Sequence, residues 1–291
     1  MIDLVIPARR KDLGDGFEVG RILPFARRRM VGPFIFLDHM GPVSFKPGHG
    51  ITVRPHPHIG LSTVTYLYAG EIMHRDSLGY SLAIRPGEVN WMTAGRGIVH
   101  SERSSAEVRA GGGSLHGLQT WVALPDAHEE TAPTFVHYAA DDLPRFEAAG
   151  ARGVVIAGTA FGLTSKVATF SPLFYVDVEL DVGAEVALPD AYEERAAYIV
   201  HGRVDSDGAV HNAGNLLVFG PGAATVSAVS GPARLMLLGG DPVGERHIWW
   251  NFVSSREDRI ELAKTDWRAG RMTLPPDDNA EFIPLPEDGP R

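Results

Sequence analysis

Two short motifs hold most of the chemistry this chain can do. His56-Pro57-His58 and His100-Ser101-Glu102 each place two donor side chains one residue apart. In an extended strand, residues i and i+2 point to the same face. Each motif therefore aims two donors at one place if its backbone is extended. Pro55 and Pro57 favour that backbone around the first pair. Ala94-Gly95-Arg96-Gly97 precedes the second pair and can turn its strand back beside the first. Three imidazoles and one carboxylate suit a first-row transition metal such as iron, manganese, nickel or copper. A metal that accepts six ligands would keep positions for substrate and oxygen. The alternative is that these are structural or surface histidines with no metal. Against it, such a group without a metal would be a costly buried polar cluster.

Composition narrows the chemistry further. The 291 residues include no cysteine. Disulfides, iron–sulfur clusters, thiolate zinc sites and cysteine nucleophiles are thereby excluded. The net charge of −9 opposes direct nucleic-acid contact. Arg27-Arg28-Arg29 is the compact basic run and reads as a solvated strand end or structural ion pairs. No apolar run approaches the roughly 18 to 20 residues a membrane helix needs, and the start lacks signal-peptide features. A cytoplasmic protein is expected.

The elements that must position the motifs are strands. Leu61–Ala69, 71–75, 80–84, Val89–Thr93 and 115–124 alternate with Gly and Pro turns. Strands resume at 153–157, 173–180, 196–204, 216–219, 224–229 and 234–238. The segment 125–152 carries Pro125, Pro133 and Pro144 among polar residues and reads as a surface connection between domains. One helix is expected near the end, with Ser255 as its cap, Ile260, Ala263 and Trp267 as its buried stripe, and Gly270 as its stop. Trp249, Trp250 and Phe252 read as core packing beneath it. The Pro-rich, acidic tail 271–291 is expected to lie extended or fray.

A weak internal repeat runs through these strands. Tyr66-Leu67-Tyr68-Ala69-Gly70 resembles Tyr198-Ile199-Val200-His201-Gly202 at an offset of 132. Two copies of one β-barrel are the economical reading. The same offset carries His56 and His58 to Leu188 and Asp190, so the second copy lacks the metal motif.

These motifs resemble a known family. His56-Pro57-His58 followed by Gly70, and Pro86 followed by Gly95-Arg96-Gly97-Ile98-Val99-His100, are similar to the two motifs of the cupin barrel. More specifically, the chain resembles the pirins. The likeness rests on Gly32-Pro33-Phe34-Ile35-Phe36-Leu37-Asp38-His39, His56-Pro57-His58-Ile59-Gly60, His74-Arg75-Asp76-Ser77-Leu78-Gly79, Leu115-His116-Gly117-Leu118-Gln119-Thr120-Trp121 and the long block from Trp91 to Glu102. It implies an all-β bicupin with a short C-terminal helix: a metal-binding domain over 1–130 and a second cupin domain over 131–291 with the closing helix and tail. It implies metal ligands at His56, His58, His100 and Glu102, usually for Fe(2+), with other divalent metals tolerated. Some pirins resemble quercetin 2,3-dioxygenases, which implies a small aromatic substrate, O2, and a catalytic role for Glu102 as proton acceptor. The family also implies an alternative, a redox-sensitive regulator acting through a protein partner. His74 and His116 are expected to be hydrogen-bonded structural residues, with support of the metal ligands as the other option. The chain departs from many pirins in one place. Ile59-Gly60-Leu61-Ser62 stands where they have Arg-Gly-Phe-Glu, which raises a question of pocket polarity.

Overall fold

The computed structural model describes residues 1–12 and 17–287. Strands dominate, and most expected ones form where the alternation places them. Leu61–Ala69, Val89–Thr93 and Leu173–Leu180 match the expected limits. The rest shift by a few residues, and the expected strand 196–204 is two, Glu194–His201 and Arg203–Ser206. The break falls at Gly202, which has φ 84°. A Cβ there would lie 2.5 Å from the Pro232 carbonyl oxygen. Gly70, its counterpart in the repeat, has φ 87°, and a Cβ would lie 2.0 Å from the Ser114 carbonyl oxygen. Both turns need the conformation and the closeness that only glycine allows.

The contacts divide the chain into two interleaved units. One takes Met1–Lys11, Val19–His39 and Ala139–Pro242; the other takes Met40–Tyr138 and the chain from Val243 onward. This division is finer than the single cut at 130/131 expected from the sequence. Two pairings account for the difference. The strand Ile2–Pro7 pairs with Asn215–Phe219. The helix Glu257–Arg268 packs through Ile260, Ala263 and Trp267 on Ile59, Val99 and Phe252.

Both units are cupin-type barrels built on one plan. In the unit with the two motifs, a small sheet runs Thr52–His58, Ile98–Arg103, Ile72–Asp76, Ser81–Ile84. The other unit repeats this order as Glu185–Ala187, Thr225–Ala228, Arg203–Ser206, Ala209–Asn212. The facing sheet of the first runs Thr134–Tyr138, Val89–Thr93, Leu61–Ala69, Gly113–Ala123. Its counterpart runs Ile2–Pro7, Asn215–Phe219, Glu194–His201, Ala233–Gly240. A strand from the start of the chain thus takes, in the second barrel, the place held by Thr134–Tyr138 in the first. The internal repeat is structural. The second interior is apolar where the first carries imidazoles: Val186, Leu188, Val226 and Ala228 are buried in one hydrophobic cluster. Asp190 is exposed.

Two expectations are corrected. The segment 125–152 is not a bare surface connection. Thr134–Tyr138 pairs with Val89–Thr93, and Arg145–Ala148 pairs with Ala151–Ala160. Its start is anchored by Arg246, which is almost fully buried, donates to the Leu124 carbonyl at 2.9 Å and pairs with Glu129 at 3.0 Å. Glu129 in turn accepts from Ser254 Oγ at 2.8 Å and Ser255 N at 2.7 Å. Ser255 is therefore held by Glu129 rather than capping the helix, whose N-cap position is Arg256 with no side-chain cap. Gly270 follows the last turn at φ 66°, as expected of a helix stop.

The tail takes the first of its two expected forms. Residues 288–291 lie outside the described residues, but 271–287 do not fray. Ile283 N donates to the Pro55 carbonyl at 2.9 Å, and Trp267 Nε1 donates to the Ile283 carbonyl at 3.0 Å. Asp278 accepts from Ser101 Oγ at 2.7 Å and from Arg103 at 2.6 and 2.9 Å. Thr52–His58 is the edge of its small sheet, where Pro55 and Pro57 are tolerated. The tail covers that edge. Trp249 and Trp250 pack on the cluster beneath the helix, as expected.

The Arg246–Glu129 pair supplies a test. Glu129→Ala leaves a buried guanidinium and two hydroxyls short of an acceptor. It should cost about 3–5 kcal/mol in urea unfolding. A loss below about 1 kcal/mol, the level of an exposed pair, would show that the network is not structural.

Candidate metal centre

Strand register brings the histidines together. Ile98–Arg103 runs antiparallel to Thr52–His58 with His100 opposite His56 and Ile98 opposite His58. Opposite residues in such a pair face the same way. The rings of His56, His58 and His100 are 4.5 to 5.0 Å apart between centroids. One nitrogen from each lies within 4.8 Å of the others. His58 Nε2 and His100 Nε2 are 3.1 Å apart. Among the described residues this is the one such group.

Burial keeps the group uncharged. It pushes His56 down to about 4, with the Arg54 carbonyl opposing part of the effect and His74 adding to it. Burial also holds His58 well below the ordinary imidazole value, as does the neighbouring His56, while the Asn251 backbone offsets part of this. His100 is lowered in the same way by burial and by His56, His58 and His74.

The supporting hydrogen bonds settle which nitrogens face inward. His56 Nδ1 donates to the Arg54 carbonyl at 2.8 Å, which leaves Nε2 with a lone pair. Behind His100 stands a second chain of groups. His74 Nε2 donates to Asp76 Oδ2 at 3.0 Å. His100 Nδ1 lies 3.5 Å from His74 Nδ1, a long hydrogen bond. With its Nε2 proton on Asp76, His74 offers Nδ1 as acceptor, so His100 carries its proton on Nδ1 and turns a bare Nε2 to the cluster. Asp76 is fixed by Leu78 N and Tyr80 N, which donate to its other oxygen at 2.9 and 3.2 Å. Phe135 stacks on His74 at 4.3 Å. Converging nitrogens on buried, uncharged rings fit a cation, and a carboxylate relay behind one of them is the usual support of a metal-binding histidine.

Glu102 stands apart from the other three expected residues. A register shift falls between His100 and Glu102, which pairs with Val53. Its carboxyl is not within the tight group. It lies 3.4 Å from Thr65 Oγ1, which is 2.7 Å from Gln119 Oε1. The single Thr65 proton serves the shorter contact, so Thr65 holds Glu102 only weakly. Burial raises its pKa to about 7, and the Thr65 contact offsets part of that rise.

Several neighbours were not evident from sequence. Thr65 and Gln119 face each other across paired strands, as do Thr63 and Trp121. Trp121 meets His58 edge-on at 5.1 Å. Only the strand register, two residues per repeat, could have placed them inside. Ser62 lies on the opposite face of Leu61–Ala69 and bonds Thr93 at 3.0 Å. The departure from the usual Glu at that position therefore does not touch the side of the strand that carries Thr65. His74 stands behind His100, Nδ1 to Nδ1. His116 packs on Tyr68 at 4.9 Å, five residues along its strand from Trp121.

A two-barrel β protein with converging imidazoles in one barrel is a metal-site cupin. The family model described as Pirin matches residues 16–122, and that of the Pirin C-terminal cupin domain matches 175–273. A pirin-like protein of Caulobacter vibrioides is 58% identical over 99% of this chain and 100% of its own length. The chain belongs to the pirin family. A quercetin 2,3-dioxygenase from Acinetobacter baumannii has a similar structure, with TM-score 0.89, 35% identity, and 97% and 94% of the two chains covered. A bacterial pirin from Escherichia coli, solved in complex with nickel(II), shares the fold at TM-score 0.64 and 20% identity, over 83% of this chain and all of the other. Among the described residues no helix is long and apolar enough to cross a membrane.

Two outcomes follow from the site. Asp76→Asn places an amide where His74 needs an acceptor and reverses the tautomers down to His100. Metal affinity, measured by competition with a chelator, should fall about 10- to 100-fold. Unchanged affinity would show that the relay is not coupled to the ligand. The second outcome concerns pH in chelator-treated protein. Unfolded histidines take up protons below their ordinary 6.5, while folded His56 stays neutral to about 4 and His58 and His100 are also depressed. The unfolded state then binds more protons, so stability is lost as pH falls from 6.5 toward 4. Glu102 acts oppositely: it keeps its proton to about 7 when folded against 4.5 unfolded, so its contribution is lost as pH rises between them. Three groups outweigh one, and the urea midpoint should fall between pH 6.5 and 5. A rising midpoint would contradict the burial of the imidazoles.

Proposed function

We propose that the protein is a cytoplasmic, metal-dependent oxygenase of the quercetin 2,3-dioxygenase type, acting on a flavonol-like aromatic substrate with O2. His56, His58 and His100 hold one divalent metal, iron(II) in the resting protein, and Glu102 turns in from Thr65 as the fourth ligand. The observation that carries this reading is the convergence of three buried, uncharged imidazoles beside a weakly held carboxyl of raised pKa. The similarity to the Acinetobacter baumannii dioxygenase supports the reaction class.

The metal, when bound, supplies a Lewis acid for an ionised substrate hydroxyl and a redox partner for O2. The protein supplies the rest. The Arg54 carbonyl and the Asp76–His74 relay hold His56 and His100 in the tautomers that leave Nε2 bare. Glu102, poised near neutrality, accepts the proton of the substrate hydroxyl at its carboxylate oxygen. Thr65 and Gln119 limit where that carboxyl can go. Trp121 fills the side of His58 with an apolar ring, which keeps water away from that ligand.

Anaerobic loading with iron(II), followed by oxygen and a flavonol panel, tests this. Flavonol loss with release of carbon monoxide is expected. Glu102→Gln at full metal loading should lower turnover at least about 100-fold. No turnover with a fully loaded site would overturn the enzymatic reading and favour the family's alternative, a redox-sensitive metal-binding regulator that acts through a protein partner.

A further inference from the structure

The second barrel has lost the imidazoles but has not become a plain core. Arg195 begins the strand Glu194–His201, on the same face as Ala197 and Ile199, which belong to the barrel's hydrophobic cluster. Its side chain therefore points into the barrel, and the residue is 2% exposed. Among the described residues it forms no ion pair. Its Nη2 donates to the Gly220 and Gly222 carbonyls at 2.8 and 2.7 Å, and its Nε has no partner. A buried guanidinium normally faces a carboxylate or another anion, because carbonyl dipoles alone leave its charge uncompensated.

Arg195 also lines a cavity of about 410 Å³. Pockets for small organic ligands run about 300–1,000 Å³. The walls include Leu188 and Ala224, both buried, and the half-buried Tyr192. Tyr192 is fixed by its hydroxyl, which donates to the Thr159 carbonyl at 2.8 Å. Asp190 and Glu193 also line it and are exposed. Leu188 is the residue to which the repeat offset carries His56. The cavity thus opens just beyond the strand Glu185–Ala187, the counterpart of Thr52–His58 in the first barrel.

We propose that this cavity is a second binding site, for a small organic monoanion with an apolar body, of the aryl carboxylate class. Arg195 supplies the positive charge and one unpartnered Nε–H for a charge-assisted hydrogen bond to a carboxylate, since both Nη2 hydrogens already serve the Gly220 and Gly222 carbonyls. Leu188, Ala224 and the Tyr192 ring accept the apolar body. The exposed Asp190 and Glu193 repel ligands with more than one negative charge. A phosphate or dicarboxylate is therefore disfavoured. Binding here is independent of the metal site and does not rest on the oxygenase reading.

Calorimetric titration of the full chain with benzoate, and with benzamide as its neutral counterpart, tests this. It is run on metal-loaded and on chelator-treated protein. Benzoate should bind one per chain in both states, at least about tenfold more tightly than benzamide. Arg195→Gln should remove that preference. Because Arg195 also holds two carbonyls, a second variant is needed in case Arg195→Gln does not fold. Ala223→Phe, at an exposed residue of the wall, should fill the cavity and abolish benzoate binding with the guanidinium intact. Three results would each overturn the proposal: no benzoate binding, binding lost with the metal, or binding unchanged in Ala223→Phe.

Discussion

The pairing of His100 opposite His56 is the interaction on which the site depends. It sets two imidazoles side by side across neighbouring strands, and the two-residue step to His58 adds the third. A shift of one residue would send His100 to the other side of the sheet. Everything nearby defends that register. Pro55 and Pro57 stiffen the edge strand, the tail bonds to Pro55, and Asp278 grips Ser101 and Arg103 on the partner strand. The tail therefore belongs to the site's support although it is remote in sequence. What it protects is unfavourable by itself: three desolvated rings with a nitrogen of each turned to one place. That arrangement is sensible as a receptor for a cation.

The two barrels show how one scaffold carries different interiors. Strand order is shared down to the glycine turns at Gly70 and Gly202. Side chains on the inner faces are free to differ, because each inner position is read only by its neighbours across the barrel. One barrel uses them for imidazoles, Thr65 and Gln119. The other fills the matching strands with Val186, Leu188, Val226 and Ala228, and keeps one buried cation, Arg195, at its cavity.

Much of this was legible in the sequence, and the limits have physical causes. Residue spacing within one strand is a local property, so the three histidines, the buried stripe of the last helix and the barrel repeat could be read directly. Their partners across strands could not, because register is set by pairing. His74 gained its meaning from the strand that lies beside His100. Trp121 and Gln119 gained theirs from pairing with Thr63 and Thr65. Glu102 keeps the face of His100, as the two-residue step implies, yet its carboxyl rests beside Thr65 and outside the tight group of imidazoles. Ser255 has the right type for a helix cap, yet the buried Glu129 claims it. The tail's composition suggests solvent, and only its contacts with Pro55, Ser101 and Arg103 reveal a fixed path. Ser62 is the instructive case for family comparison. Its departure from the usual residue seemed to bear on the pocket, and strand alternation turns it to the other face.

The central claim is that His56, His58 and His100 are the ligands of one divalent metal. Metal content after equilibration with iron(II) and gel filtration, compared between the wild type and His56→Ala, His58→Ala and His100→Ala, tests it most directly. One metal per chain in the wild type and its loss in all three folded variants is the predicted result. A folded variant that retains a full equivalent, or a wild type that retains none, would contradict it.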